Sequence, residues 1–246
     1  MPNEWYLTDV PRVMSETNLL YSRIVERAPE KTKLAVTVEK VIESRKWQPS
    51  LDLYKDRFEA TVAQLGCFYI PKLIIPGPAF VFPMRGADGT YPRAQTKPLA
   101  GSAMFYDGVR YRYIGDREKY LGPGWLGNDP ETLKLIIQKQ QVMCVEGTFD
   151  LLAIRLASAG YPFLSPLTKH LGKDHIAYLR ILGVKQVLLM YDNEAQGEEA
   201  MQQQARQVKS MEVIPCECPQ KDPSKALERR EWAVQLSARI SKFFGY

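Results

Sequence analysis

The chain has 246 residues, enough for one large domain or two small ones around a substantial core. Apolar residues make up 45% and charged residues 25%, as in a soluble globular protein, and no stretch reaches the roughly 18 apolar residues that a bilayer span needs. A net charge of +5 is too small to identify a nucleic-acid partner by itself.

Residues 1–65 form an N-terminal segment in which apolar residues recur every three or four positions. This spacing predicts a mostly helical segment, with helices over residues 37–46 and 54–65. The segment carries no recognisable functional motif. Its role is therefore left with three alternatives: it could dock onto a helicase, onto a partner subunit or onto a nucleic-acid groove.

Residues 66–133 change in composition, with more glycine, proline and aromatic residues. The short apolar runs 67–70 and 79–83 are interrupted by turn signals at residues 88–89 and 107–108. This pattern predicts short antiparallel strands joined by hairpins.

Residues 134–227 alternate between strand and helix patterns, which predicts parallel βαβ units with helices on both faces of the sheet. We expect a closing amphipathic helix, or a partner contact, over residues 228–246. The predicted strands are 141–146, 161–165, 185–191 and 211–215, and the predicted helices are 149–158, 173–182 and 195–210.

Acidic side chains follow three of the predicted parallel strands. They are Glu146 and Asp150 after the first strand, Asp192 and Glu194 after the strong buried strand, and Asp222 after the last. Because functional groups gather at the carboxyl ends of parallel strands, we expect these acids to converge. Mg²⁺ prefers such oxygen ligands and offsets charge in phosphodiester chemistry.

Each acidic motif has a simpler interpretation when it is taken alone. Asp150 is explained equally well as a surface acid on a helix, and residues 192–194 and 221–224 as turns or helix caps. Their joint occurrence in this order, at spacings of 46 and 30 residues, favours a metal or phosphate site. We also expect Gly147 to permit a sharp exit from its strand and Gly197 to allow close packing of a helix on the sheet.

Basic and aromatic side chains are interleaved between residues 72 and 119, a segment with eight Lys or Arg and four Asp or Glu residues. Cations neutralise phosphates and aromatic rings stack on bases, so the segment predicts a single-strand-binding surface. A solvated sheet face is the alternative. Arg110 and Arg112 alternate as in a strand and would share one face. Lys221 is a further candidate for a phosphate contact.

The acidic motifs carry a family resemblance. Glu146-Gly-Thr-Phe-Asp150, Asp192-Asn-Glu-Ala-Gln-Gly197 and Lys221-Asp-Pro-Ser224 resemble the Toprim domain of primases, topoisomerases and related nucleases. Upstream, residues 82–89, 118–121 and 129–132 are similar to segments of bacterial primases. The resemblance extends over about residues 65–227.

The resemblance implies an α/β fold (α+β overall) in four parts. A Toprim Rossmann-like parallel sheet flanked by helices would occupy residues 134–227, preceded by a basic primase-like α+β subdomain at 66–133. Residues 1–65 and 228–246 would flank them. The resemblance also implies that the protein is a DNA primase that acts in DNA replication. Such an enzyme is a nucleotidyltransferase that makes a short primer on single-stranded DNA from nucleotide triphosphates. Its expected cofactor is Mg²⁺, with Mn²⁺ as the alternative.

The resemblance also implies roles for individual residues. Glu146, Asp192 and Glu194 would be catalytic metal ligands, with Asp150 and Asp222 as further ligands or supporting acids. A groove for template and nucleotides would be lined by basic residues of the preceding subdomain. The candidates for nucleic-acid or nucleotide binding are Arg85, Arg93, Lys97, Arg110, Arg112, Lys119 and Lys221.

Two positions differ from the family pattern. Glu194 stands where the family usually has aspartate, and Ser224 stands where primases usually have a second aspartate. The resemblance therefore does not decide whether a second ion binds. We recognise no zinc-binding or helicase-binding domain, which makes a helicase or a separate template-recognition protein a candidate partner. The small size suggests a phage or mobile-element origin.

Two other functions compete with primer synthesis. A Toprim-type nuclease acting on DNA or RNA would use the same carboxylates with water as the nucleophile. A catalytically weak replication accessory protein that binds nucleic acid would fit the serine at position 224. Initiation sequence, choice between ribonucleotides and deoxyribonucleotides, and oligomeric state cannot be predicted from these motifs.

The cysteines and the N-terminal residues predict a cytoplasmic protein. Residues 1–13 carry charges early and lack an apolar run, so they do not resemble a signal peptide. The cysteines lack zinc-ligand spacing and are expected to be free thiols in a reducing compartment. They are Cys67, Cys144, Cys216 and Cys218.

Overall fold

The structure is a computed structural model that describes residues 31–70, 78–85, 93–100, 112–115 and 125–245. The helices are α1 (Lys31–Arg45), α2 (Leu51–Gln64), α3 (Pro130–Lys139), α4 (Thr148–Ala157), α5 (Lys173–Ile181), α6 (Ala195–Gln207), α7 (Pro223–Ala226) and α8 (Arg230–Phe243). The strands are β1 (Phe68–Ile70), β2 (Ala79–Met84), β3 (Arg93–Pro98), β4 (Arg112–Gly115), β5 (Gln141–Val145), β6 (Phe163–Leu164), β7 (Gln186–Met190) and β8 (Glu212–Pro215).

The strands β5 to β8 form a parallel sheet in the order β6-β5-β7-β8. Its two central strands, β5 and β7, pair along their whole length, from Gln141 opposite Gln186 to Val145 opposite Met190. Both are nearly continuous runs of buried apolar residues, because helices cover both faces of the sheet. The predicted parallel α/β unit is confirmed, and its central strands end level with each other.

Alternate residues of the central strands enter two different cores. Met143 and Leu188 pack on one face with residues of α4 and α8. On the other face the side chains of the same strands pack with residues of α3, α5 and α6. Helices therefore lie on both faces, as the strand-helix alternation predicted.

The N-terminal helices α1 and α2 belong to the first of these cores. Val41 and Phe58 are buried in the same cluster as Leu236 of α8. The Tyr54 hydroxyl donates to the Ala233 carbonyl at 3.2 Å. The helical segment predicted without a function thus packs directly against the parallel-sheet unit.

The strands β1 to β4 form an antiparallel sheet in chain order. One face of β2 places Phe80 and Phe82 against Phe149 of α4, with ring centroids 5.6 and 5.3 Å apart. The opposite face packs Val81 with Ala94 in a small separate cluster. The antiparallel sheet is therefore anchored on the helix that follows β5.

A buried arginine joins the segment before β5 to α4. Arg155 is 6% exposed, and its Nη1 donates to the Asp129 carboxylate at 2.9 Å. Its Nη2 donates to the carbonyls of Gly127 and Phe163 and to the Thr132 hydroxyl. Asp129 also caps α3 by accepting from the Thr132 amide. This network gives the buried guanidinium hydrogen-bond acceptors on three sides and so joins the segment before β5 to α4 and β6.

The described helices and strands follow the predicted pattern, with small differences at their ends. Helix α6 stops at Gln207, three residues before its predicted end. Gly160 and Gly183, predicted to terminate helices, have φ angles of 84° and 75°. The predicted hairpin turns at residues 88–89 and 107–108 lie outside the described residues. No helix within the described ranges is long and apolar enough to cross a membrane.

Candidate active site

The acids Glu146 and Asp192 lie at the carboxyl edge of the parallel sheet, just after its two central strands. Glu146 directly follows β5, and Asp192 lies two residues beyond β7. Burial raises the pKa of the Glu146 carboxyl, and the nearby charge of Asp192 raises it further. The two side chains therefore lie close enough to repel each other, and the structure brings together the acids that the sequence predicted would converge.

Glu146 has an unsatisfied carboxylate oxygen. Its Oε2 atom is buried and has no hydrogen-bond partner among the described residues. Its carbonyl accepts a hydrogen bond from the Ser165 hydroxyl at 3.0 Å, which ties the end of β5 to the loop after β6. A buried carboxylate oxygen without a donor is costly unless a cation or a water approaches it.

Asp150 supports the backbone at this edge with both of its oxygens. Oδ2 accepts from the Gly147 amide at 3.1 Å, and Oδ1 accepts from the Ser224 amide at 3.2 Å. Burial raises the pKa of Asp150 to about 7, helped by the charges of Asp222 and Asp192. The carboxylate therefore links the start of α4 to the start of α7.

Gly147 is required for a reason that differs from the predicted sharp exit. Its φ of −117° and ψ of 170° are extended and open to any residue. A Cβ atom at this position would lie 2.7 Å from Oδ2 of Asp150. The glycine therefore makes room for the carboxylate that caps α4.

The loop after β7 carries one half-buried acid and one exposed acid. Burial raises the pKa of Asp192, and the charge of Asp222 raises it further. Glu194 is 52% exposed and pairs with Lys221 at 2.7 Å, a contact that lowers the pKa of Glu194. The backbone N–H of Asn193 donates to the Lys221 carbonyl at 2.5 Å, so the loops after β7 and β8 are held together.

Gly197 allows α6 to approach the loop that carries Asp192. A Cβ atom at residue 197 would overlap the Asp192 carbonyl oxygen. The glycine therefore lets the first turn of α6 lie directly against the backbone of the metal-ligand candidate, a local contact that differs from the predicted packing of the helix on the sheet.

Asp222 and Ser224 begin the short helix α7 beside these acids. Oδ1 of Asp222 accepts from the Lys225 amide at 2.6 Å and caps the helix. Ser224 is 1% exposed, and its hydroxyl accepts from Nη2 and Nε of Arg45 at 2.7 and 3.1 Å. An arginine from the N-terminal helix α1 therefore enters the acidic site.

Sequence reasoning missed two cations at this edge, Arg45 and Lys169. The positive charge of Lys169 partly offsets the burial that raises the pKa of Glu146 and Asp192, and it adds to the effect of Lys221 in lowering the pKa of Glu194. Lys169 lies in the loop after β6, so its position beyond a predicted parallel strand was a usable signal. Arg45 lies on a helix with no motif, 179 residues from its partner Ser224, and no local pattern marks it.

The carboxylates fit a divalent cation by their chemistry. They supply only oxygen donors, one of them orphaned and buried, and their mutual repulsion would be relieved by a cation. Within the part of the chain that the structure describes, no three metal-ligating side chains already form a compact cluster. The donors are thus suitable, while a complete ligand cage is not assembled in advance.

The antiparallel sheet places two basic side chains on the face that it turns toward α4. Lys97 pairs with Phe80 and Gln95 with Phe82 across the sheet, and directly opposed residues share a face. Since alternate residues of β3 point the same way, Arg93 lies on this face too. The Arg93 guanidinium lies 4.3 Å from the ring centroid of Tyr113.

The remaining predicted basic residues are distributed differently. Arg85 follows β2, and its carbonyl accepts from the Asn128 side chain at 2.9 Å. Burial raises the pKa of Tyr178, and the charge of Arg85 partly offsets that rise. Lys221 is exposed and paired with Glu194. Arg110 and Lys119 lie outside the described residues, and only the backbone of Arg112 is described, at the start of β4.

The parallel-sheet unit matches a known family. A family model described as Toprim-like matches residues 143–227, the segment from β5 to just after α7. A comparison with curated protein sequences finds no significant match.

Solved primase structures share the fold. The RNA polymerase domain of Mycobacterium tuberculosis primase DnaG has a TM-score of 0.61 at 17% identity, covering 90% of this chain and 83% of that one. The Aquifex aeolicus primase, with zinc-binding and RNA polymerase domains, has a TM-score of 0.60 at 17% identity, covering 95% and 68%. The primase fragment of the bacteriophage T7 primase-helicase has a TM-score of 0.54 at 16% identity, covering 73% and 70%.

These structural similarities extend well beyond the Toprim-like segment, because two of them cover 90% and 95% of this chain. The chain therefore carries a Toprim-like domain over residues 143–227, within a fold that is shared with the catalytic cores of DnaG-type primases.

Proposed function

We propose that the chain is a metal-dependent DNA primase that synthesises a short primer on single-stranded DNA. The observation that supports this most is the placement of Glu146 and Asp192 at the ends of adjacent parallel strands, where their charges interact. A sheet face carrying Arg93 and Lys97 turns toward the same helix, α4. Template-directed synthesis needs acidic side chains that hold metal ions and basic side chains that hold a nucleic-acid strand.

In this proposal Glu146, Asp192 and Glu194 hold a divalent cation, with Mg²⁺ as the expected ion and Mn²⁺ as the alternative. A bound cation offsets charge on the attacking and leaving oxygens of phosphoryl transfer. Glu194 would leave its ion pair with Lys221 to hold the cation, at a small cost because both side chains are exposed. Lys221 is then available to a phosphate group.

Asp150 and Asp222 act by fixing the backbone around the site. Asp150 accepts amide hydrogen bonds from both α4 and α7, and Asp222 caps α7. Their charges also strengthen the attraction of the edge for a cation. We therefore assign these two acids to support of the site, which is one of the two roles that the sequence left open.

The template and the nucleotides would lie between the carboxylates and the antiparallel sheet. Arg93 and Lys97 would contact phosphates, and Tyr113, which is 39% exposed, offers a ring for stacking on a base. We extend this role to Arg85, Arg110, Arg112 and Lys119 as sequence-based candidates. One structure of the same fold is a DnaG primase catalytic domain bound to single-stranded DNA.

The experiment incubates the purified chain with single-stranded DNA, Mg²⁺ and either ribonucleotide or deoxyribonucleotide triphosphates, and scores synthesis and cleavage together. We expect labelled primers from the wild type and none from Glu146→Gln or Asp192→Asn. Loss of a direct ligand should exceed the roughly 10- to 100-fold loss typical of its supporting partners.

Glu199→Gln is the matched control, since Glu199 is an exposed acid on α6 beyond the site. It should synthesise primers at the wild-type rate. Circular dichroism and thermal unfolding check that each variant folds. Synthesis at an undiminished rate by a folded Asp192→Asn variant would refute the proposed role of the carboxylates.

A second candidate function is binding of single-stranded nucleic acid without turnover. Two observations favour it. The described residues hold no compact group of three metal-ligating side chains, and the Ser224 hydroxyl is hydrogen-bonded to Arg45. Tight single-strand binding without synthesis or cleavage, unaffected by Glu146→Gln, is the result expected for this function. Cleavage without added nucleotides is the result expected for a Toprim-type nuclease.

A helicase or a separate template-recognition protein is proposed as a further partner. A neighbour of the same fold is the primase fragment of a bacteriophage primase-helicase protein, which agrees with a role in DNA replication of a phage or mobile element. Co-purification with the replicative helicase encoded by the same element would test this partner.

A further inference from the structure

The side of the acidic site nearest α7 contains a resident cation, the guanidinium of Arg45. Its Nη2 and Nε both donate to the Ser224 hydroxyl, and the Ser224 amide donates in turn to Oδ1 of Asp150. A chain of hydrogen bonds therefore runs from the arginine to one of the acids. Its middle member, Ser224, is an uncharged acceptor at a position 1% exposed.

The guanidinium is held rigidly by its surroundings. Its Cζ lies 4.7 Å from the ring centroid of Phe149, which is itself packed between Trp47, Phe80 and Phe82. Trp47, two residues after Arg45, donates from Nε1 to the Ser224 carbonyl at 2.8 Å. The end of α1 is thus bonded to α7 at two points, and a planar guanidinium loses little entropy in such a fixed position.

The hydrogen bonds of Arg45 within the described residues go to a hydroxyl and not to a carboxylate. Its full positive charge therefore stays uncompensated by a direct ion pair there, beside Asp150 and near Asp222. A fixed charge in this position acts on the acids as a bound cation would, and it repels a second cation that approaches the same side.

We propose that Arg45 is a positioning residue whose charge takes the place of one divalent cation, so that the site binds a single ion tightly, near Glu146 and Asp192. The inference rests on the proposed metal-dependent function. It goes further by stating how many ions the site takes and by assigning the end of α1 to it. Ser224 is then the acceptor that orients the arginine.

The test is a titration of each purified variant with Mn²⁺ alone, followed by electron paramagnetic resonance and isothermal calorimetry, which need no catalytic turnover. We expect one tightly bound ion in the wild type. Arg45→Met, which removes the charge and keeps the apolar stem, should bind a second ion or bind Mn²⁺ on the order of 10-fold more tightly. Arg45→Lys, which keeps the charge, should behave as the wild type.

Ser224→Asp sharpens the test because it adds a carboxylate where Arg45 is bonded. Alone it should form an ion pair with Arg45 and keep one ion. Combined with Arg45→Met it should bind two. A merely structural arginine predicts the opposite direction, since loosening the site would weaken Mn²⁺ binding.

The matched control is Arg57→Met on α2. Arg57 also stacks on an aromatic ring, 4.8 Å from the centroid of Tyr54, but it does not bond to α7. Its replacement removes the same type of packing and should leave Mn²⁺ binding unchanged. Thermal unfolding of every variant shows whether the fold is retained.

The outcomes separate the two proposals. Two ions of similar affinity in the wild type, or unchanged or weaker binding in a folded Arg45→Met variant, overturn the role of Arg45 and leave the metal-dependent function standing. No Mn²⁺ bound by any folded variant would overturn the metal-dependent function, and the role of Arg45 with it.

Discussion

The two sheets of the molecule present their polar side chains in different ways. The parallel sheet has both faces covered by helices, so its central strands are apolar and its polar groups collect where strands end. The antiparallel sheet carries Arg93 and Lys97 within strand β3 itself, and both are partly exposed while the other residues of that strand are buried. One sheet offers an edge to its ligands, and the other offers a face.

Because of this difference, the two candidate binding sites depend on different parts of the structure. An edge site depends on the loops that follow each strand, so its geometry is sensitive to caps, glycines and helix packing. A face site depends on side-chain alternation, which persists as long as the strands stay paired. Substitutions at the edge should therefore impair folding and chemistry, while substitutions on the face should impair strand binding alone.

The largest expected effect is on stability, at the junction between the two regions. Arg155→Met should lower the free energy of unfolding by about 3–5 kcal/mol, because it removes the cation that pairs with the partly buried Asp129 carboxylate and the donor to the Gly127 and Phe163 carbonyls. Urea unfolding followed by circular dichroism measures the loss. Arg239→Met is the control, as its contact with Glu217 is long and exposed, and a change within about 0.5 kcal/mol is expected.

Gly197→Ala should affect the edge alone. The added Cβ would overlap the Asp192 carbonyl, so α6 or the loop must shift, at a cost of about 1–3 kcal/mol. Primer synthesis should fall while single-strand affinity is retained. Gly172→Ala is the control, because Gly172 lies at the start of another helix, α5, and its nearest neighbour lies 3.5 Å from the added atom. Equal losses in both variants would contradict the special role of Gly197.

The acids at the edge should give the protein a distinctive pH dependence without divalent ions. The pKa of Asp150 is raised from 3.8 to about 7, so the fold favours the protonated form. The stability that this contributes is fully present below the unfolded pKa and is lost as pH rises through about 7. The free energy of unfolding should therefore fall between about pH 4 and about pH 7.

Asp150→Asn removes this titration and should flatten the curve, with a difference in slope from wild type on the order of 1 kcal/mol per pH unit across that range. Chemical denaturation in the presence of a chelator measures it. Asp56→Asn, a substitution on the exposed side of α2, should follow the wild-type curve. A wild-type curve that rises with pH would count against the buried cluster of acids.

The smallest effect is expected on the face of the antiparallel sheet. Lys97→Gln should weaken single-strand binding a few-fold and lower the salt slope of the affinity by about one. Fluorescence anisotropy at several salt concentrations measures both, and Mn²⁺ binding should not change. Lys134→Gln, on the exposed side of α3, is the control with no expected effect. A changed Mn²⁺ affinity in Lys97→Gln would show that edge and face are not independent.

The parallel-sheet unit could be predicted from the sequence because its signals are local. Apolar runs mark β5 and β7. Glycines mark the ends of two helices, and the structure gives Gly160 and Gly183 the positive φ angles that favour glycine there. The convergence of Glu146 and Asp192 followed from one general rule about strand ends. Their roles as ligands stay predictions until ion binding is measured.

The remaining features depend on contacts between distant parts of the chain. The strand order, the bonds of Arg155 to Asp129 and the bonds of Arg45 to Ser224 have no periodic pattern that marks them. Helix α1 could be predicted as a helix, but not as a neighbour of the acids. The purpose of Gly147 was also missed, because it depends on the rotamer of Asp150.

The packing of the N-terminal helices on the C-terminal helix has a consequence during synthesis of the chain. The hydroxyl of Tyr54 bonds to Ala233, 179 residues later, and Val41 and Phe58 share a core with Ile240. At about 5–20 residues per second, the ribosome needs roughly 10 to 40 s to make the missing partner. During that interval the part of α1 and α2 that packs against α8 stays uncovered and accessible to chaperones, and this core closes fully only after α8 has left the exit tunnel.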